Sequence, residues 1–135
     1  MNSSTVETMY AQVDIESQIL NASPYQLVQI LYKEALSALK RAVIFVEQNN
    51  IQQKNNAISK AIAIIGEGLN GGIDREKGGE IGENMALLYD YMIRELLHAS
   101  LHNDVDRIQH VIKLLTDSAQ TWAQLNDPAR KSNEQ

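Results

Sequence analysis

Apolar residues recur at three- and four-residue steps along four long stretches of this chain, and that period decides what it can fold into. A half-buried strand would alternate every second residue, so the pattern selects helix. The first stretch, Pro24 to about Gln48, carries Leu27, Ile30, Leu31, Ala35, Ala38, Leu39, Ala42, Phe45 and Val46. Its start is marked by Ser23-Pro24-Tyr25-Gln26: a serine to accept from free amides, a proline suited to the first helical position, and a glutamine that closes a capping box. Asn49-Asn50 supplies the stop. The second stretch, about Gln52 to Leu69, places Ala57, Ile58, Ala61, Ile62, Ile65 and Leu69 on one stripe and ends at Asn70-Gly71-Gly72, where glycine can form a left-handed cap. Gly66 and Gly68 each weaken a helix by roughly 1 kcal/mol relative to alanine, so this end is expected to fray or bend.

The segment Ile73 to Gly79 is too polar for core and too rich in glycine for continued helix, which predicts a loop with room for one turn. A third helix is expected from about Glu80 to Leu101 through Ile81, Met85, Leu88, Tyr89, Met92, Leu96 and Ala99. Asn103-Asp104 then forms a tight turn and caps a fourth, Val105 to about Leu125, built on Ile108, Val111, Ile112, Leu115, Ala119 and Trp122. Short connections favour antiparallel neighbours, so the expected fold is all-α, an antiparallel up-down four-helix bundle around one core. At 135 residues one domain is expected, spanning 10–126, with polar tails at 1–9 and 127–135. Within it, Tyr10 to Ala22 carries Tyr10, Val13, Ile15, Ile19 and Leu20 at spacings between helix and extended chain, and reads as a loosely held N-terminal arm.

Composition narrows the function. Twelve Lys and Arg are scattered among seventeen Asp and Glu, giving a net charge of −5 that argues against nucleic acid as the main partner. Cysteine is absent, which removes disulfides, thiol nucleophiles and Cys-ligated metals. Met1 to Tyr10 lacks a basic region followed by an apolar run, and no stretch approaches the roughly 18 to 20 apolar residues that span a bilayer, so a cytoplasmic chain without membrane insertion is expected.

Catalytic constellations are missing. A di-iron bundle needs two Glu-x-x-His pairs, and only Glu95 with His98 supplies one. His98 and His102 share a helix face, but a third ligand such as Asp106 lies past the turn, and two histidines near a helix end are favoured there by its dipole. The run Gly78 to Gly82 lacks the Lys and Ser/Thr of a phosphate loop. No metal, cofactor or enzymatic activity is therefore expected.

What remains is surplus apolar surface. Val28, Tyr32, Leu36, Val43 and Ile44 in the first helix, and Leu87, Tyr91, Ile93 and Leu97 in the third, fall outside a single stripe of about 100°. Either the stripes are wide inside a well-packed bundle, or a groove accepts an added amphipathic helix.

Several motifs in order resemble the flagellar secretion chaperone family FliS: Tyr10 to Gln12, Ala22-Ser23-Pro24 with Leu27 and Leu31, Lys60-Ala61 with Ile64-Ile65, Glu76-Lys77-Gly78-Gly79-Glu80-Ile81, Leu88-Tyr89-Asp90-Tyr91-Met92, and Asn103-Asp104 with Trp122. The similarity covers about Tyr10 to Leu125. It implies a bundle that binds the C-terminal segment of flagellin, which becomes helical on the chaperone, and that docks to the flagellar export gate when loaded. It also implies an N-terminal arm that lies over part of the groove and moves aside. The residues expected to contact flagellin are Leu27, Ile30, Leu31, Ile62, Ile65, Leu69, Leu87, Tyr91 and Leu97, with Tyr10 and Ile19 on the arm, several of which could equally be bundle core. A weak homodimer is compatible with such surfaces. The competing reading is a non-enzymatic helical adaptor or oligomerisation module in an export or signalling complex.

Overall fold

Ser23 opens the first long helix, α1 (Pro24–Glu47), as the sequence predicts. Its hydroxyl accepts from the Gln26 amide at 3.2 Å while the Gln26 side chain accepts from the Ser23 amide at 3.0 Å, so two otherwise orphaned donors are satisfied reciprocally. Ser23→Ala is expected to lower the unfolding free energy by about 1 kcal/mol, read from urea denaturation. In the computed structural model, which describes residues 17–72 and 75–129, a further helical turn at 17–21 precedes α1. That turn leaves Ile19 and Leu20 exposed, and the rest of the expected arm, with Tyr10, Val13 and Ile15, lies outside the described residues.

Asparagine makes both tight reversals. Asn49 (φ 57°) and Asn103 (φ 51°) take the left-handed conformation that asparagine tolerates better than most side chains. Asn50 then caps α2 (Ile51–Ala63) and Asp104 caps α4 (Val105–Asn126), each accepting from the amide three residues on. The Arg107 guanidinium also reaches Asp104, and the amide and this cation together hold the Asp104 carboxyl below the usual carboxylate range.

The end of the second helix differs from expectation. It neither frays nor ends in a left-handed glycine: Ile64–Asn70 winds as a π-helix, and Gly71 keeps right-handed angles (φ −66°, ψ −24°). Close packing accounts for the glycines, because a β-carbon at Gly68 would sit 3.2 Å from the Leu31 methyls of α1. The third helix, α3 (Arg75–His102), begins earlier than expected but is interrupted at Gly79, whose φ 53°, ψ −134° suits glycine alone. The expected loop thus contains a helical turn at 75–78, set off by that glycine from the long rod beyond it.

Around the bundle, α1 packs on α2 and α4, and α3 packs on the same two helices. Cross-links fix the antiparallel order. Glu34 meets Lys60 at 3.6 Å, Lys54 reaches the Ser100 carbonyl at 2.6 Å, Glu95 pairs with Arg107 at 3.1 Å, and the rings of Tyr25 and Trp122 stack 5.0 Å apart. The core is aliphatic, with Leu39, Ile58, Ile65, Met92, Leu96, Ile108, Val111 and Leu115 fully buried. Buried alanines at 35, 38, 42, 57, 61 and 99 let the helix axes approach.

Polar groups enter this interior as well, Ser118 among them. Tyr32 of α1 and Tyr89 of α3 share a hydrogen bond between their hydroxyls across the core, and burial raises the pKa of both phenols. Lys54 is buried with its ammonium on a carbonyl in the last turn of α3, where a cation is favoured, although burial still lowers its pKa.

Candidate partner-binding surfaces

With the core closed, the remaining large apolar side chains define two surfaces. On the solvent side of α3, Leu87, Tyr91, Leu97 and Leu101 are 66%, 37%, 56% and 77% exposed. Steps of four, six and four residues keep them within one broad arc of the helix. The Tyr91 hydroxyl lies 3.2 Å from His110 Nε2 of α4, and the two rings meet edge-on, which anchors the middle of this stripe to its neighbour.

The second surface is a groove of about 630 Å³ between α1 and α4. Tyr32, Leu36 and Ile44 of α1 face Ala119 and Ala123 of α4, whose short side chains leave the furrow open. Lys33, Lys40 and Arg41 stand along its α1 side. A smaller hollow of about 480 Å³ continues from it past Gln29 and Lys33 to Ile30 and to Gln18 and Asn21 of the 17–21 turn.

The residues expected to bind a partner are therefore distributed rather than gathered. Leu87, Tyr91 and Leu97 are exposed together on α3. Ile30 lines the smaller hollow, Leu27 is half-buried nearby on α1, and Ile19 is exposed on the turn. Leu31 and Ile62 are half-buried against the core. Ile65 and Leu69 are corrected to core: both continue the buried stripe of Ile58 and Ala61, at 0% and 5% exposure, so neither lines a groove on this surface. Because α1 and α3 sit diagonally across the bundle, these positions do not form one furrow.

Lys33, Lys40, Arg41 and Ala123 were not singled out beforehand, and Ala119 was read only as part of the fourth helix's stripe. Leu36 and Ile44 were visible as surplus apolar positions, and the cations at 33, 40 and 41 share their helical face. The alanine pair on α4 carried no signal of its own, since a groove is a property of two helices.

Glu95 is engaged by Arg107, the His98 and His102 rings lie 4.4 Å apart, and among the described residues no three His, Cys, Asp or Glu side chains cluster as metal ligands. No helix among the described residues is long and apolar enough to cross a membrane.

Comparison with known proteins bears on what such surfaces are for. Residues 6–129 match the family described as flagellar protein FliS. The chain belongs to that family. It is 51% identical over 120 residues to the flagellar secretion chaperone FliS of Salmonella typhimurium, covering 89% of each chain. Identity to the Escherichia coli flagellar secretion chaperone FliS is 44% over 113 residues, 84% of this chain and 83% of the relative. The Bacillus subtilis chaperone of the same name is 31% identical over 116 residues, 86% of this chain and 85% of the relative. Membership in this family supports a flagellar export chaperone with flagellar components as partner proteins.

Proposed function

We propose that this chain is a cytoplasmic export chaperone that binds the C-terminal amphipathic segment of flagellin, blocks its premature polymerisation and keeps it competent for type III secretion. The observation that supports this reading best is the apolar surface left over once the core is complete: Leu87, Leu97 and Leu101 on α3, with Leu36 and Ile44 beside the groove on α1. A segment that polymerises through an apolar helical face is neutralised when that face is covered, and chaperoning then amounts to burial without nucleotide hydrolysis or cofactor. The guest orders on binding, which lowers affinity per unit area and allows release at the export gate. Residues 10–126 form the chaperone domain. Tyr10 and Ile19 belong to an arm that competes with the guest for the same apolar surface, and Leu27 and Ile30 take part where arm and groove meet.

Circular dichroism of a flagellin C-terminal peptide, alone and mixed with the full chain, tests this directly. Helix in the mixture exceeding the sum of the parts, together with a one-to-one complex by light scattering, is the expected result. Self-association of the chain without peptide uptake would instead favour the oligomerisation adaptor.

A further inference from the structure

The groove between α1 and α4 has an apolar floor and a positively charged rim in a chain whose net charge is −5. Lys33, Lys40 and Arg41 are all exposed and, at spacings of seven and eight residues, occupy one face of α1. Among the described residues, no acidic side chain lines the groove. The ion pairs among the described residues join Lys60 to Glu34 and Arg107 to Glu95 and Asp104, so none of the three groove cations has a carboxylate of the described residues within 4.0 Å. Arg41 donates to the Ser37 hydroxyl, a neutral partner. From Gln29 to Ile44 the α1 wall runs about 22 Å at the helical rise, enough for four turns of a guest helix.

Any guest covering this floor also takes water away from three cations. A guest with no acids leaves them desolvated and unpaired, and a basic guest adds repulsion. A guest whose apolar stripe is flanked by Asp or Glu satisfies both requirements, and its charge also steers the encounter. We infer that the α1/α4 groove is a docking site selective for an acidic amphipathic helical segment of a partner protein, with Lys33, Lys40 and Arg41 as its specificity-determining residues. This deepens the chaperone reading by naming the chemistry of the guest at one surface, and it rests on that reading only for the guest being helical.

Calorimetric titration of the full chain with three synthetic peptides of about 16 residues tests it. The peptides share one Leu/Ala stripe and differ in flanks of Glu, Gln or Lys. The Glu peptide is expected to bind on the order of tenfold tighter than the Gln peptide, as the sum of three modest ion pairs, with the Lys peptide weakest. Raising NaCl from about 50 to about 300 mM should shrink that preference. The triple variant Lys33→Gln, Lys40→Gln, Arg41→Gln should abolish it without moving the thermal melt, because all three side chains are exposed.

Equal binding of the Glu and Gln peptides, or a preference surviving in the triple variant, overturns the inference. So does a concentration-dependent dimer that the triple variant dissolves with no peptide uptake, since the occupant is then a second copy. Uptake of the Glu peptide only by a full chain carrying Glu7→Gln, Asp14→Asn and Glu16→Gln would also overturn it, by assigning the groove to the chain's own first residues. Flagellin peptide measured in parallel separates the two claims. Flagellin uptake without any Glu preference removes this inference and spares the chaperone reading, whereas Glu preference without flagellin uptake does the reverse.

Discussion

Ile65→Asp is expected to leave the chain unfolded at neutral pH, whereas Leu87→Asp should fold with a denaturation midpoint close to that of the parent. Ile65 has no exposed surface and packs inside the cluster formed by all four helices, so the substitution removes a buried aliphatic group and strands a carboxylate away from water. The lost burial alone is worth about 2 to 5 kcal/mol, and the unpaired charge adds several more. Against a typical stability of about 5 to 15 kcal/mol, little is left. Leu87 is 66% exposed, so aspartate there costs only the difference in helix propensity, roughly 0.5 kcal/mol. Urea denaturation followed at 222 nm reads both. A folded Ile65→Asp protein with an unchanged midpoint would mean that this side chain is not part of the core. If the flagellin reading holds, Leu87→Asp should in addition weaken uptake of the C-terminal peptide on the order of tenfold, since a charge replaces an apolar anchor in the covered surface.

Above pH 10 the protein should lose stability steeply, and removing two hydroxyl groups should prevent most of that loss. Tyr32 and Tyr89 are buried and hydrogen-bonded to each other, and burial is the main reason both phenols ionise above their ordinary value of 10.0. In the unfolded chain the same phenols ionise near that ordinary value. The folded state thus holds more protons at alkaline pH, so the contribution of the pair is fully present below pH 10 and is lost as pH rises beyond it. Each phenol contributes a slope of about 1.4 kcal/mol per pH unit until it ionises in the folded state. Lys54 acts in the opposite sense. Its folded pKa lies below 10.5, so the stability tied to its neutral form is present above 10.5 and lost as pH falls through the folded value. The variant Tyr32→Phe, Tyr89→Phe removes both hydroxyls at once and leaves no orphaned donor or acceptor. Chemical denaturation of parent and variant between pH 9 and about 12 checks this. An equal fall in both proteins would show that the tyrosine pair is not the cause.

Those two predictions draw on interior contacts, and the interior is where sequence and structure part company. Local signals were reliable wherever a few neighbouring residues carried the whole physical argument. Ser23-Pro24-Tyr25-Gln26 builds the capping box that its spacing implies, and the asparagines at 49 and 103 make the reversals between helices. The glycines of the second helix were read as a weakness, and that follows from propensity alone. In the folded chain the helix widens to π geometry there, and Leu31 of α1 lies against Gly68 while Ile93 of α3 lies 3.4 Å from the β-carbon position of Gly66. No local rule contains those two side chains. Ile65 and Leu69 remain buried through that winding, and Gly71 keeps right-handed angles after it.

The surplus of apolar residues on the first and third helices was also legible, but its division between interior and surface was not. Val43 and Tyr32 went into the core, while Ile44, Leu87, Tyr91 and Leu97 stayed outside. A 3.6-residue period says which side chains share a face; how wide an arc is buried depends on how many neighbours surround the helix and how closely they approach. By itself, then, the amino-acid order determined the helices, the N-terminal caps at Ser23 and Asp104, the bundle and the family, since each depends on contacts within a turn or two or on motifs read in line. Only the tertiary structure decided that the exposed apolar groups form a stripe on α3 and a basic-rimmed groove between α1 and α4, because a groove exists only where two helices distant in sequence are held side by side.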